Sequence, residues 1–178
     1  MDRLLYRLTA GMPARLIKLN GRPYLERYYV GQLFGVTFYL HRFVSSDSER
    51  HLHNHPWTWG RALVLAGSYN EQRVTDLSPA AAGGCLTDFR HVRFWNRVDG
   101  NHFHRIAWVR PGTWTLFFHG PRARIVSAVP DCPLKGWGFL ERDLRDGEWV
   151  TVFEPFKSTA SGWWRTAPNG RDVGRVPL

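Results

Sequence analysis

Apolar and polar positions alternate with a period of two along most of this chain, interrupted every 8–12 residues by Gly, Pro, Asn or Asp. That is the pattern of short strands with one face buried, joined by turns. Arg15–Leu19 and Pro23–Val30 flank Asn20-Gly21, the strongest short hairpin signal. Gly35–Val44 is rich in β-branched and aromatic residues and predicts a strand with both faces partly buried. Arg61–Ala66 ends at Gly67, and Ser68–Val74 is expected to pair back on it as a hairpin. Further strands are expected at Phe89–Val98, His104–Val109, Thr113–His119, Arg124–Val129, Gly136–Glu141 and Glu148–Phe153. The period of 3.6 shows only at the start, where Leu4, Leu5 and Leu8 fit a short helix ended by Gly11-Met12-Pro13. Residues 75–88 read as a small-residue loop. About ten short strands so spaced predict an all-β antiparallel barrel or double-sheet jelly roll with a short N-terminal helix. Residues 1–154 form one domain in this reading. Residues 155–178 form a C-terminal tail that packs through Trp163-Trp164 and then frays.

Composition narrows the class. At 178 residues one domain can bury a substantial core, and nine Trp, eleven Phe and six Tyr supply large apolar surfaces for it. No apolar run is long enough to span a membrane, and the first residues lack the sustained apolar stretch of a secretory signal. Cys85 and Cys132 provide neither a disulfide framework nor a thiolate zinc site, so a reducing cytoplasmic setting is expected. The formal charge of +9 invites a polyanionic partner, but Arg and Lys are scattered without a basic tract or nucleic-acid motif. A solvated basic surface is the better reading, nucleic acid is set aside as a partner, and a homodimer is left open.

The chemistry concentrates in His51-Leu52-His53-Asn54-His55-Pro56-Trp57. Alternate residues of an extended segment share a face, so the three imidazoles can project toward one point. Neutral imidazole suits Fe, Cu, Ni and Zn. A further ligand must come from elsewhere, and Asn101-His102-Phe103-His104-Arg105 offers one.

The spacing His53-x-His55, then Gly60, then Gly67 resembles the first motif of the cupin superfamily, G-x5-H-x-H-x3-4-E-x6-G. Asp47 stands where that motif opens with Gly, and Gly60 stands where it carries Glu. His104 is the best match to the His of the second motif, with Trp108 in place of the usual Asn. The chain also looks like a small group of bacterial and phage cupins. The shared phrases are LH(N/D)HPW at Leu52–Trp57, G-x-Y-x-E at Gly67–Glu71, HR(V/I) at His104–Ile106, TLF-x-x-GPR at Thr115–Arg122 and WGF at Trp137–Phe139. The resemblance covers most of residues 35–140 and implies a cupin barrel with a metal site at His53, His55 and His104.

Three neutral ligands on one side of an ion leave open positions, a catalytic rather than a structural arrangement. The ion stays positively charged, which favours an anionic substrate or a bound hydroxide. One divalent ion is therefore expected, Fe(II) favoured, with Zn, Ni or Mn able to use the same donors. Two-His-one-carboxylate oxygenases need an acid two residues after the first His, and His55 holds that position. The leading expectation is a three-His Fe(II) oxygenase acting on a small anionic substrate. The alternatives are a non-redox metal-dependent isomerase or hydrolase, and a non-enzymatic small-ligand-binding cupin.

Other residues are candidates of lower rank. Glu71 can be a fourth ligand, a general base or a solvated hairpin acid. Arg105 and Arg122 can clamp a carboxylate bidentately. His51 and His102 are alternative ligands, and His119 can support the site from behind. His41 and His91 have no spacing partner and read as ordinary packed or surface residues. Trp57, Trp59, Trp114 and Trp137 can wall a pocket or simply fill the core.

Overall fold

The computed structural model describes residues 1–46, 52–76, 86–98, 102–121, 125–126, 133–134, 136–142, 149–155 and 162–178. A seven-residue helix, α1 (Asp2–Leu8), and a 3-10 turn (Thr9–Gly11) open the chain. The strands follow as β1 (Ala14–Leu19), β2 (Arg22–Leu33), β3 (Val36–Phe43), β4 (Gly60–Ala66), β5 (Tyr69–Asp76), β6 (Leu86–Val92), β7 (Trp95–Val98), β8 (His104–Val109) and β9 (Thr113–His119). Two short pairs come after them, β10 (Ile125–Val126) with β11 (Pro133–Leu134), and β12 (Gly136–Arg142) with β13 (Trp149–Pro155). All strand pairings among the described residues are antiparallel. One sheet has the order β1-β2-β3-β9-β4-β7 and a second the order β6-β5-β8. The expected all-β, double-sheet jelly-roll class with a short N-terminal helix is the one the chain adopts.

Local chemistry explains the hairpins. Asn20 and Gly21 both have positive φ (48° and 79°), the twist that a two-residue turn between right-twisted strands requires. Phe34 and Gly35 repeat this geometry between β2 and β3 (47° and 77°), although Phe34 gives no turn signal. A bulge between Tyr29 and Gly31 lets β2 run on past Val30 to that second turn.

Two expectations fail at the corners. β4 and β5 are not a hairpin: β4 pairs with β7 and β9, whereas β5 pairs with β6 and β8. Gly67, with φ 79°, carries the chain from one sheet to the other, and a Cβ there would run into Thr113. Likewise Phe89–Val98 is two strands in different sheets, bent at Arg93-Phe94. The Phe94 carbonyl accepts from the Val64 amide at 2.8 Å and pins that corner. Alternation along the chain cannot tell a strand that continues from one that changes sheets.

Between the sheets, Tyr24, Leu25, Phe43 and Val64 of the larger one pack on Tyr69, Val92 and Val109 of the smaller. Tyr39, Ala62, Val98 and Phe117 continue the interior toward Trp163 of the C-terminal segment. Helix α1 covers the outer face of the larger sheet, where Leu5 joins Ala14, Tyr28 and Trp114. Leu4 and Leu8 stay exposed, so one side chain of the three anchors the helix, worth about 1.5–3 kcal/mol. Trp114 Nε1 donates to Asp2 at 2.6 Å and fixes its start.

Residues 162–178 do not fray beyond Trp163. The Ala14 amide donates to the Pro168 carbonyl and the Gly170 amide to that of Met12, both at 2.8 Å. The Val176 amide donates to buried Glu26 at 2.8 Å, and Arg42, paired with Glu26, donates to the Val176 carbonyl at 2.6 Å. A buried ion pair whose remaining hydrogen bonds go to a passing backbone holds that backbone down.

Candidate metal centre

His53 and His104 belong to segments distant in sequence, yet they exchange both backbone hydrogen bonds, each at 2.9 Å. Such a pair places its two side chains on the same face. His55 follows two residues after His53, and Pro56 restricts it to extended backbone. The ligand atoms of His53, His55 and His104 all lie within 4.8 Å of one another. The Nε2 atoms of His55 and His104 are 2.7 Å apart. A first-row divalent ion at ~2.0–2.2 Å from each nitrogen joins ligand atoms roughly 3–4 Å apart, so small ring shifts suffice to seat one. His53 and His104 are buried and His55 is half-buried.

Glu71 stands behind His104. Its side chain is fully buried, and its Oε1 takes the hydrogen bond of His104 Nδ1. A proton held on Nδ1 leaves the Nε2 lone pair for the cavity, and a carboxylate in this place is the usual outer partner of a metal-binding imidazole. Arg73 donates to Glu71 Oε2 at 2.5 Å, and Asn96 Nδ2 donates to Oε1 at 2.9 Å. Asn96 also donates to the Tyr69 hydroxyl at 2.9 Å and accepts from Arg73 at 2.7 Å. Burial by itself would raise the Glu71 pKa, but the hydrogen bond from His104 and the bond and charge of Arg73 outweigh it and hold it below the usual carboxylate range. The carboxylate is thus ionised, and burial with the neighbouring Glu71 charge pushes the Tyr69 phenol up, keeping it neutral.

Gly60, where the cupin motif carries Glu, opens β4 against β7. A Cβ there would lie 3.0 Å from the Val98 carbonyl and 3.1 Å from its side chain, with Phe117 at 3.4 Å. An acid at this position would require Val98 and Phe117 to give way by a few tenths of an ångström. The carboxylate near the histidines is that of Glu71 on β5, hydrogen-bonded to His104 Nδ1.

The triad borders a cavity of about 90 Å³ between the sheets, walled by Trp57, Phe117, Val98, Ile106, Phe43 and Tyr69 among others. Trp57 stacks on His55 with centroids 5.0 Å apart and on His119 at 4.3 Å. His119 therefore supports the site through Trp57, and its Nδ1 donates to the Gly120 carbonyl at 2.8 Å. His102 lies outside the triad. His91 is exposed and meets Asn70 at 2.6 Å. Arg105 does not line the cavity: its Nε donates to Gln72 at 2.7 Å, across the β5–β8 pair. Trp114 lies under α1 on the far face of the larger sheet, and Trp59 packs toward Phe118 with centroids 6.2 Å apart. His51, Arg122 and the side chain of Trp137 fall outside the described residues.

Sequence reasoning passed over two cavity residues. His41 is buried and lines the cavity, and Arg27 of β2 lies directly across from it. The signal was present in β3, where His41 shares parity with buried Tyr39 and Phe43.

No protein-family model matches the chain, and no curated protein matches it. Solved structures of similar chain course include HEPD from Streptomyces albus, with its substrate 2-hydroxyethylphosphonate and Fe(II) bound. It is 11% identical, covering 67% of this chain and 25% of that one, with a TM-score of 0.46. Another is Fe(II) HppE, 11% identical over 60% of this chain and 55% of that one, TM-score 0.41. A third is a sugar phosphate isomerase of the cupin superfamily from Silicibacter pomeroyi, 12% identical over 80% of this chain and 88% of that one, TM-score 0.34. The chain thus spans a quarter of HEPD and about half of HppE.

Proposed function

We propose that this protein is a mononuclear metal-dependent cupin, an Fe(II) oxygenase that acts on a small anionic substrate. The observation that supports this most is the convergence of three imidazoles on one cavity with a buried, ionised Glu71 hydrogen-bonded behind His104. His53, His55 and His104 would hold a divalent ion, which would supply a Lewis-acidic centre and, as Fe(II), one-electron chemistry toward O2. Zn, Ni or Mn can use the same donors.

The chain's own residues have separable tasks. Glu71 keeps the proton of His104 on Nδ1 and stays ionised through Arg73 and Asn96. The mutual backbone bonds of His53 and His104 hold two ligands in register along the edge of β8. Trp57, Phe117, Val98 and Ile106 give the cavity apolar walls beside the histidines. Tyr69, kept neutral, stays a hydrogen-bonding group in the same wall.

The test is metal analysis of protein purified without a histidine tag, then oxygen uptake with thiols, phenols, keto acids and hydroxy acids. One ion per chain and uptake with at least one acid, both lost in His104→Ala, are expected. A chain that takes up no ion after reconstitution overturns the metal reading. A loaded chain that consumes no oxygen but transforms an acid moves the assignment to the non-redox alternative.

A further inference from the structure

Three polar side chains of the cavity wall are not used by the triad. Tyr69, Asn96 and Thr115 are only 2%, 2% and 1% exposed, and all three border the cavity. They are neighbours in the fold. On the larger sheet Asn96 faces Ala62 across the β7–β4 pair, and Val64, two residues on, faces Thr115 of β9. Tyr69 reaches over from the smaller sheet to Asn96.

The hydrogen bonds of Asn96 decide which way Tyr69 can bond. Asn96 Oδ1 accepts from Arg73 Nη2 at 2.7 Å and from the Arg97 amide at 2.9 Å. Both partners can only donate, so the orientation of the amide is fixed. Its Nδ2 then spends both hydrogens, on Glu71 Oε1 and on the Tyr69 hydroxyl, each at 2.9 Å. Tyr69 is therefore an acceptor toward Asn96, and its own proton points elsewhere. That proton has no acceptor among the described residues, because Glu71 is taken up by His104, Arg73 and Asn96. The Thr115 hydroxyl likewise has no hydrogen-bond partner among them. A buried hydroxyl left unpaired costs free energy, and two beside one cavity form a neutral polar end to it.

We propose that the Tyr69 hydroxyl, with Thr115 beside it, binds a second and uncharged oxygen of the substrate, a hydroxyl or a keto group. That the acid end of the substrate meets the triad rests on the function proposed above; the contact at Tyr69 and Thr115 does not. A substrate hydroxyl can accept from Tyr69 and donate to Thr115, and a keto oxygen can accept from both. A methyl group in the same place leaves both hydroxyls buried and unpaired, so the cavity discriminates against the hydrocarbon analogue. Size is limited as well. At roughly 10–15 Å³ for one water-sized unit, about 90 Å³ takes a short chain of carbons and oxygens. A short hydroxy or keto acid fits this description.

The experiment is ligand-observed NMR titration with 3-hydroxypropionate and butyrate, which differ by a hydroxyl in place of a methyl. Metal-loaded protein and protein stripped by dialysis against a chelator are both titrated. The hydroxy acid should bind about five- to tenfold more tightly than butyrate in the loaded protein. Stripping should weaken both acids and keep their ratio. Tyr69→Phe should bring the ratio to about one with the ion still bound, which chelation of the ion by the hydroxyl would not do. Thr115→Val should lower the ratio in part, and Thr115→Ser should restore it. Because the Thr115 hydroxyl has no internal partner, Thr115→Val should also unfold in urea no earlier than the wild type. Equal binding of the two acids by the wild type, or a preference that survives in both Tyr69→Phe and Thr115→Val, overturns the proposal. So does a failure of either acid to bind the loaded protein. A chain that takes up no ion ends the metal reading alone, since the ratio in stripped protein still tests Tyr69.

Discussion

His104 and Glu71 form a single unit: the Nδ1 of one is hydrogen-bonded to the buried carboxylate of the other, and the opposite ring nitrogen lies 2.7 Å from that of His55. Glu71→Gln keeps the shape and removes the charge. Metal affinity should fall about 10–100-fold with the fold intact, read by competition with a chromogenic chelator. Glu71→Ala also strands Arg73 and Asn96, and should cost about 3–5 kcal/mol of stability in urea unfolding. Unaltered metal affinity in both variants would reduce Glu71 to a packing role.

Removing any one ligand should empty the site. Alanine at His53, His55 or His104 should leave less than one ion in ten chains after dialysis, a loss of about 1.4 kcal/mol or more per site. His41→Ala should retain its metal, because His41 lies outside the group of clustered ligand atoms and its Nε2 accepts from Arg27. Elemental analysis of the four variants checks this, and loss of metal from His41→Ala would place that ring at the ion.

Burial, with Arg27 and His119 adding to it, holds the His41 pKa well below the usual histidine value of 6.5. The unfolded chain therefore takes up this proton first as pH falls. Stability contributed by neutral His41 is fully present above pH 6.5 and is lost below it, at up to about 1.4 kcal/mol per pH unit, until the folded pKa is reached. His41→Phe should flatten the fall in unfolding free energy between pH 6.5 and 5 by about one proton. Parallel wild-type and variant slopes would contradict it.

The glycines at the ends of β4 are structural rather than permissive. Gly67→Ala meets Thr113 at a φ of 79° and should destabilise by about 1–3 kcal/mol in denaturant unfolding. Gly60→Glu restores the cupin motif's acid but presses on Val98 and Phe117. It should lower the melting temperature without tightening metal binding. A gain in metal affinity would show that β4 yields and that the missing acid is a lost ligand.

What the sequence determined by itself is local. Alternation fixes which face of an extended segment is apolar, so β1, β8 and β9 were legible almost to the residue, and Asn20-Gly21 announced its hairpin. The histidines at 53 and 55 were legible for the same reason, since a period of two puts both on one side. The tertiary structure alone decided everything that depends on which strands become neighbours. It split Phe89–Val98 between sheets and separated β4 from β5. It also brought Glu71 behind His104, turned Arg105 toward Gln72, and set Arg27 beside His41. Those partners are 33, 33 and 14 residues apart. Parity along one strand carries no record of the strand across from it, so charge and metal chemistry become specific only when the barrel closes.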